Sequence, residues 1–204
     1  MERKEGPISS RGKMPKERPA AFMDAVLAIV MTILVLDLPR PTVMSVAGFW
    51  ELRHDFFAYA LSFFWLGSMW VNMHNEWDGV EVVDTSVLWR MVLLLFCSSL
   101  IPYATGVVSD AMYSAVAQAF YGICVIALTL ANVWLSRALA SANADESPDV
   151  INRMERRQSA LLLDCAIKVA GLALAVFVWP PAMMVSVLVA AAFITVVVRR
   201  EGLV

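Results

Sequence analysis

The sequence predicts an all-α membrane protein with six transmembrane helices per subunit, and three observations carry that expectation. Of its 204 residues, 60% are hydrophobic and 17% charged, with a mean hydropathy of +0.68, well outside the range of soluble globular domains. The apolar residues fall into runs long enough to cross a hydrocarbon core of roughly 30 Å as helices, separated by proline or polar clusters. Lysine and arginine gather in alternate connections, the pattern by which membrane proteins set their orientation.

Residues 1–17 read as a flexible basic tail, with Arg3, Lys4, Arg11, Lys13 and Lys16 among glycine, proline and serine. It lacks the short apolar core of a signal peptide, so no cleavage is expected. The first span covers 19–38: Pro19 suits a first helical turn, where its missing N–H is no loss, and Pro39 and Pro41 stop the helix. The second span, 47–73, carries aromatic residues near both ends, at headgroup depth. A short acidic connection over 74–84 follows, with Glu76, Asp78, Glu81 and Asp84. The third span, 86–108, contains Pro102 and is expected to kink there. The fourth, 111–139, is rich in small residues that let helices approach closely. A polar loop over 141–157 separates two halves of the domain. The fifth span, 159–179, stops at Pro180-Pro181, and the sixth, 182–198, ends in Arg199-Arg200. The domain organisation is therefore a tail over 1–17, a six-helix membrane domain over 18–200 and a short C-terminal tail over 201–204.

Six spans put both termini on one side. That side holds twelve Lys/Arg, six through Arg18, four over 137–157 and two at the C-terminus, while Arg40 and Arg53 fall opposite. Both termini are expected to be cytoplasmic, in a multi-pass protein of the cell membrane whose surroundings are the lipid bilayer. A net charge of −2 without a concentrated basic face gives no reason to expect a nucleic-acid partner. Cys97, Cys124 and Cys165 lie in apolar segments without disulfide or metal-ligand spacing and are expected to pack in the core.

Asp24 lies inside the first span, where an unpaired carboxylate is costly, so it should face a partner, a cavity or water. Arg18 is the nearest basic candidate, and His74 ends the second span on the same side. On a helical wheel Ile29, Ile33 and Leu36 fall within about 60°, with Thr32 beside them and Phe22 one heptad earlier. Such a stripe ordinarily packs or meets lipid. Asp24 is about 140° from Ile29, so turning Asp24 into its own bundle turns the stripe toward lipid, another subunit or a pore. Asp164 and Lys168, four residues apart in the fifth span, suit a mutually neutralising pair; with Asp24 they are also the coupling groups a secondary transporter would use. No carbonyl filter, nucleotide loop, metalloprotease or serine-hydrolase motif is present, so no enzyme is expected.

The opening Arg18-x-x-x-Phe22-Met23-Asp24, followed by Ala-x-x-Ala-Ile-x-x-Thr-Ile-Leu-Val-Leu-Asp-Leu and a proline, resembles the prokaryotic transmembrane protein 175 potassium channel family. The similarity extends through Trp70-x-x-x-His74 and the run from Leu93 to Pro102. Met23 stands where the family has serine, which removes one hydroxyl from the motif's hydrogen bonding. The resemblance implies a homotetramer whose first helices surround a central, potassium-permeable leak pathway with no bound cofactor and no carbonyl filter. Ile29, Thr32, Ile33 and Leu36 would line or gate it, and Arg18, Phe22, Asp24, Trp70 and His74 would position the helix. An apolar ring gates by dewetting and discriminates ions modestly, so a weakly selective cation or proton leak is the neighbouring alternative.

Overall fold

The computed structural model describes residues 14–80, 82–143 and 148–200, with side chains over 14–80, 82–143 and 156–195. In chain order it contains β1 (Met14–Pro15), α1 (Glu17–Ile33), α2 (Val46–Glu51), α3 (Arg53–Asp78), β2 (Val82–Val83), α4 (Thr85–Ser99), α5 (Ile101–Asp110), α6 (Ala115–Ala142), α7 (Pro148–Phe177) and α8 (Ala182–Arg200). Among the described residues four segments are long and apolar enough to cross a membrane: Arg53–Asp78, Thr85–Asp110, Ala115–Ala142 and Arg156–Phe177. The Ala182–Thr195 part of α8 is a shorter apolar helix, and α1 has 17 residues. The tail over 1–13 and the C-terminal 201–204 lie outside the described residues.

Several boundaries differ from the sequence reading, each for a local reason. The first helix ends at Ile33 rather than reaching residue 38. Thr32 Oγ1 donates to both the Ala28 and Ile29 carbonyls, at 3.0 and 2.9 Å. Beyond it the chain tightens into bonds across three residues, Leu36 N to Ile33 O at 2.9 Å and Leu38 N to Val35 O at 3.4 Å. Pro39 then keeps Leu38 out of the helical region. The second span is preceded by the separate helix α2, capped by Ser45 Oγ on Gly48 N at 3.0 Å, and α3 continues through Asp78 into what reads as the acidic connection. The bend expected at Pro102 is a break at Leu100, whose N–H reaches Cys97 O at 3.3 Å before the ladder resumes with Ala104 N on Leu100 O at 3.0 Å. Pro102 has no N–H for the Ser98 carbonyl, so the discontinuity falls just before it. The polar loop over 141–157 is shorter than its composition suggests, because α7 starts at Pro148, a residue suited to a first helical position.

The end of the basic tail is tied down. Met14 and Pro15 pair antiparallel with Val83 and Val82, and Lys16 Nζ donates to the Trp77 and Asp78 carbonyls at 2.6 and 3.1 Å. Both carbonyls lie at the C-terminus of α3, where a cation meets the helix dipole favourably. Asn143 joins this end of the bundle, its Oδ1 accepting from Val82 N at 3.3 Å and its Nδ2 donating to Val82 O at 3.1 Å.

Helix α1 buries Met23, Leu27 and Val30, a spacing that continues to the buried Leu34 just past its end, and packs against α3, α4 and α5. At the other side of the bundle α7 and α8 form a hairpin around Pro180-Pro181, the boundary read from the sequence. The two helices approach tightly at Gly171, where an added Cβ would stand 2.0 Å from Ser186 Oγ and 2.2 Å from its Cβ. Gly106, by contrast, has open space around that position. Gly171→Ala is expected to cost about 1–3 kcal/mol by forcing the two helices apart. Gly106→Ala, gaining helix propensity, should be neutral or slightly stabilising. Thermal unfolding of both variants in detergent checks this; equal midpoints would refute the tight α7–α8 contact.

Candidate functional site

Helix α1 carries two opposed faces. The buried side chains from Met23 to Leu34 define the face turned into the subunit. On the other side Phe22, Ile29, Ile33 and Leu36 form an exposed apolar stripe, with Ile29 57% and Leu36 79% accessible on the single subunit. Thr32 is exposed beside them. Its hydroxyl proton is committed to the backbone carbonyls of the preceding turn, which leaves the oxygen as an acceptor on the outer surface. Leu36 lies past the end of α1, in the tightened turn, rather than on the helix itself.

Asp24 is half-buried at the edge between these faces. Trp70 Nε1 of α3 donates to its Oδ1 at 2.8 Å, and Trp70 in turn stacks on His74, with ring centroids 5.6 Å apart and planes inclined by 26°. The i,i+4 spacing of Trp70 and His74 makes that stack a property of one helix face. His74 Nε2 also stands 3.9 Å from Asp78 Oδ2. Asp24, Trp70 and His74 thus form one chain of contacts from α1 to α3. Arg18 and Phe22 do not join it: both are exposed, on the same side of α1 as Ile29. Arg18 is about 120° around the helix from Asp24, which carries its guanidinium away from the carboxylate. Met23 is buried in the apolar face of α1 rather than beside Asp24.

Two further charged groups were read from the sequence as a pair and are one: Lys168 Nζ donates to Asp164 Oδ2, and both side chains are buried. A second buried pair was not anticipated. Arg157 Nη2 stands 3.0 Å from Glu76 Oε2, Ser136 Oγ donates to Glu76 Oε1, and Arg157 Nη1 donates to the Asn72 carbonyl. Its signal was the spacing of Glu76, four residues after Asn72 and seven after Met69, which continues the buried face of α3 through one more turn.

The sequence around this arrangement has clear relatives. Residues 18–102 match the family described as the endosomal/lysosomal potassium channel TMEM175. A potassium channel of a Chryseobacterium species is 36% identical over 134 residues, 66% of this chain and 70% of that protein. The chain belongs to the TMEM175 family. Membership places it among multi-pass membrane channels rather than enzymes. A potassium channel of Streptomyces collinus is 32% identical over 122 residues, 56% of this chain and 59% of its own length. The TMEM175 fold is matched by the crystal structure of a lysosomal potassium-selective channel TMEM175 homolog from Chamaesiphon minutus. That match has a TM-score of 0.67, with 23% identity, and covers 87% of this chain and 95% of the other.

The contact between Trp70 and Asp24 gives a direct test. Trp70→Phe keeps the ring and removes the donor, and should cost about 1 kcal/mol for a charge-assisted bond at a half-exposed carboxylate. Asp24→Asn retains an acceptor oxygen and should cost less than Asp24→Leu. Thermal unfolding in detergent ranks the three, and an Asp24→Leu protein as stable as the unsubstituted one would remove the anchor role.

Proposed function

We propose that this chain is the subunit of a potassium-permeable leak channel, a homotetramer of six-span subunits in the cell membrane with both termini cytoplasmic, whose four α1 helices line the ion pathway. The observation that carries this reading is the exposed stripe Ile29–Ile33–Leu36 on the side of α1 opposite its buried face. In a membrane an apolar stripe is covered by lipid or by other subunits, and on the helix that carries the family motif four copies facing one axis would cover it. Ile29, Ile33 and Leu36 would then form successive apolar rings, and Thr32 would supply the only side-chain oxygen among them. A narrow ring of branched apolar side chains excludes water, so ions pass when the ring widens or wets. Asp24, Trp70 and His74 would hold α1 at its angle without touching the ion. Potassium as the permeant ion is supported by family membership and by the relatives' names. An apolar ring cannot replace a hydration shell, so the preference over sodium should be modest. Asp164 and Lys168, buried and paired, favour a structural role over coupling to a solute.

The test is flux from potassium-loaded proteoliposomes, with a proton ionophore and a pH-sensitive dye reporting the membrane potential, repeated with sodium. Potassium flux should exceed sodium flux. Ile29→Ser or Leu36→Ser should raise it, about tenfold for each ~1.4 kcal/mol removed from the dewetting barrier. Unchanged flux in both variants, from correctly assembled protein, would dismiss the first-helix gate. Equal flux for the two cations would move the protein to a nonselective leak.

A further inference from the structure

Away from α1, the interior of each subunit contains a polar seam. On α3 it is formed by Asn72 and Glu76, with Trp65 one heptad before Asn72; on α6 by Thr129, Asn132 and Ser136. On α7 it is formed by Arg157, Asp164 and Lys168, which span about 16 Å of helix. In each helix the intervals are three, four or seven residues, so each set occupies one face. Helix α3 packs directly on α5 and α8, and reaches α6 and α7 through these long polar side chains.

Beside the Lys168–Asp164 pair lies a cavity of about 20 Å³, lined on the α8 side by Ala191 and Ile194. At its wall Lys168 Nζ donates to Asp164 Oδ2 and, at 2.9 Å, to Thr129 Oγ1, and stands 4.8 Å from the centre of the Trp65 ring. Asn132 and Asp164, each 3% exposed, also line the cavity. The Oδ1 atom of each is buried with no hydrogen-bond partner among the described residues. Two orphan acceptors in so small a space call for a ligand that offers two donors or a positive charge. The volume is that of a single water. Charge decides between the options: Asp164 is already neutralised by the Lys168 ammonium. A water therefore adds no net charge, whereas a free cation would leave one unit uncompensated in a low-dielectric interior.

We propose that this cavity is a hydration site within each subunit, taking one water that donates to Asp164 Oδ1 and Asn132 Oδ1. Lys168 serves as its tethered cation and keeps permeant ions out. The site is separate from the α1 stripe and does not depend on which ion the channel carries. Its chemistry without the ammonium is that of a monovalent cation site, with the Asp164 carboxylate and the Thr129 and Asn132 oxygens left to coordinate.

The test is a crystal structure of the full chain grown in rubidium chloride, at a resolution that shows ordered water. Rubidium stands in for potassium and is identified by its anomalous signal. The unsubstituted protein should show a density peak within hydrogen-bonding distance of both Oδ1 atoms and no anomalous signal there. An anomalous peak in the cavity, or no density at all, overturns the proposal. In Lys168→Gln a rubidium peak should replace the water, and the melting temperature in detergent should rise by several degrees in rubidium or sodium chloride over choline chloride. Asp164→Asn combined with Lys168→Gln should abolish that dependence. A folded Lys168→Gln protein with neither the peak nor the dependence refutes the tethered-cation role. If that variant does not fold, the unsubstituted crystal decides.

Discussion

An uncompensated charge inside a bundle bathed by hydrocarbon costs several kcal/mol, and the arrangement of these helices follows from how that cost is avoided. Glu76 of α3 is held by Arg157 of α7 and Ser136 of α6, so three helices share one ion pair. Lys168 bonds within α7 to Asp164, reaches Thr129 on α6 and covers Trp65 on α3, so the same three helices meet again farther along. In lipid the apolar faces of helices gain little from meeting one another compared with meeting acyl chains. The apolar contacts fill space, and the polar links set rotation and register. A rotation of α7 large enough to bring Asp164 to its surface would also pull Arg157 from Glu76.

Helix α1 obeys the same rule unevenly. Its first half is fastened by polar bonds: the β1–β2 pairing before it, Lys16 on the end of α3, and Asp24 on Trp70. From Leu27 onward its grip on the subunit is apolar, through Leu27, Val30 and Leu34, and after Ile33 its hydrogen bonding loosens into tighter, weaker turns. The half that bears Ile29, Ile33 and Leu36 is therefore the half that can shift without breaking a charge-assisted bond. On the channel reading, the helix is pinned at one end and compliant at the constriction.

The sequence made the apolar runs, the proline punctuation, the α1 stripe and the need of Asp24 for a partner legible, because each rests on spacing along one helix. It did not make the identity of that partner legible. Charge suggested Arg18, but six residues carry Arg18 around to the exposed side, and the donor came from Trp70 on a different helix. Helix ends were misplaced for a related reason. Hydropathy continues through 34–38, while after Ile33 the backbone bonds span three residues as Pro39 approaches. Glu76 and Arg157 read as parts of polar connections because composition averages over a window. Their burial depends on a single side chain meeting its partner across three helices.

The two polar arrangements also explain how a subunit can be polar inside and apolar on the helix proposed to line the pathway. A dry constriction needs no specific bonds to stay closed; narrowness and the lack of acceptors suffice. A polar interior, left unsaturated, would draw in water and with it ions. Here the seam ends in fixed cations, Arg157 toward one end and Lys168 toward the other, each bound to its own carboxylate. A mobile cation entering between them would meet a guanidinium and an ammonium, each with its carboxylate already engaged. On the channel reading, the seam stabilises the subunit without offering a second route, and permeation falls to the helix proposed to line the pathway, whose sequence carries no charge between Asp24 and Asp37.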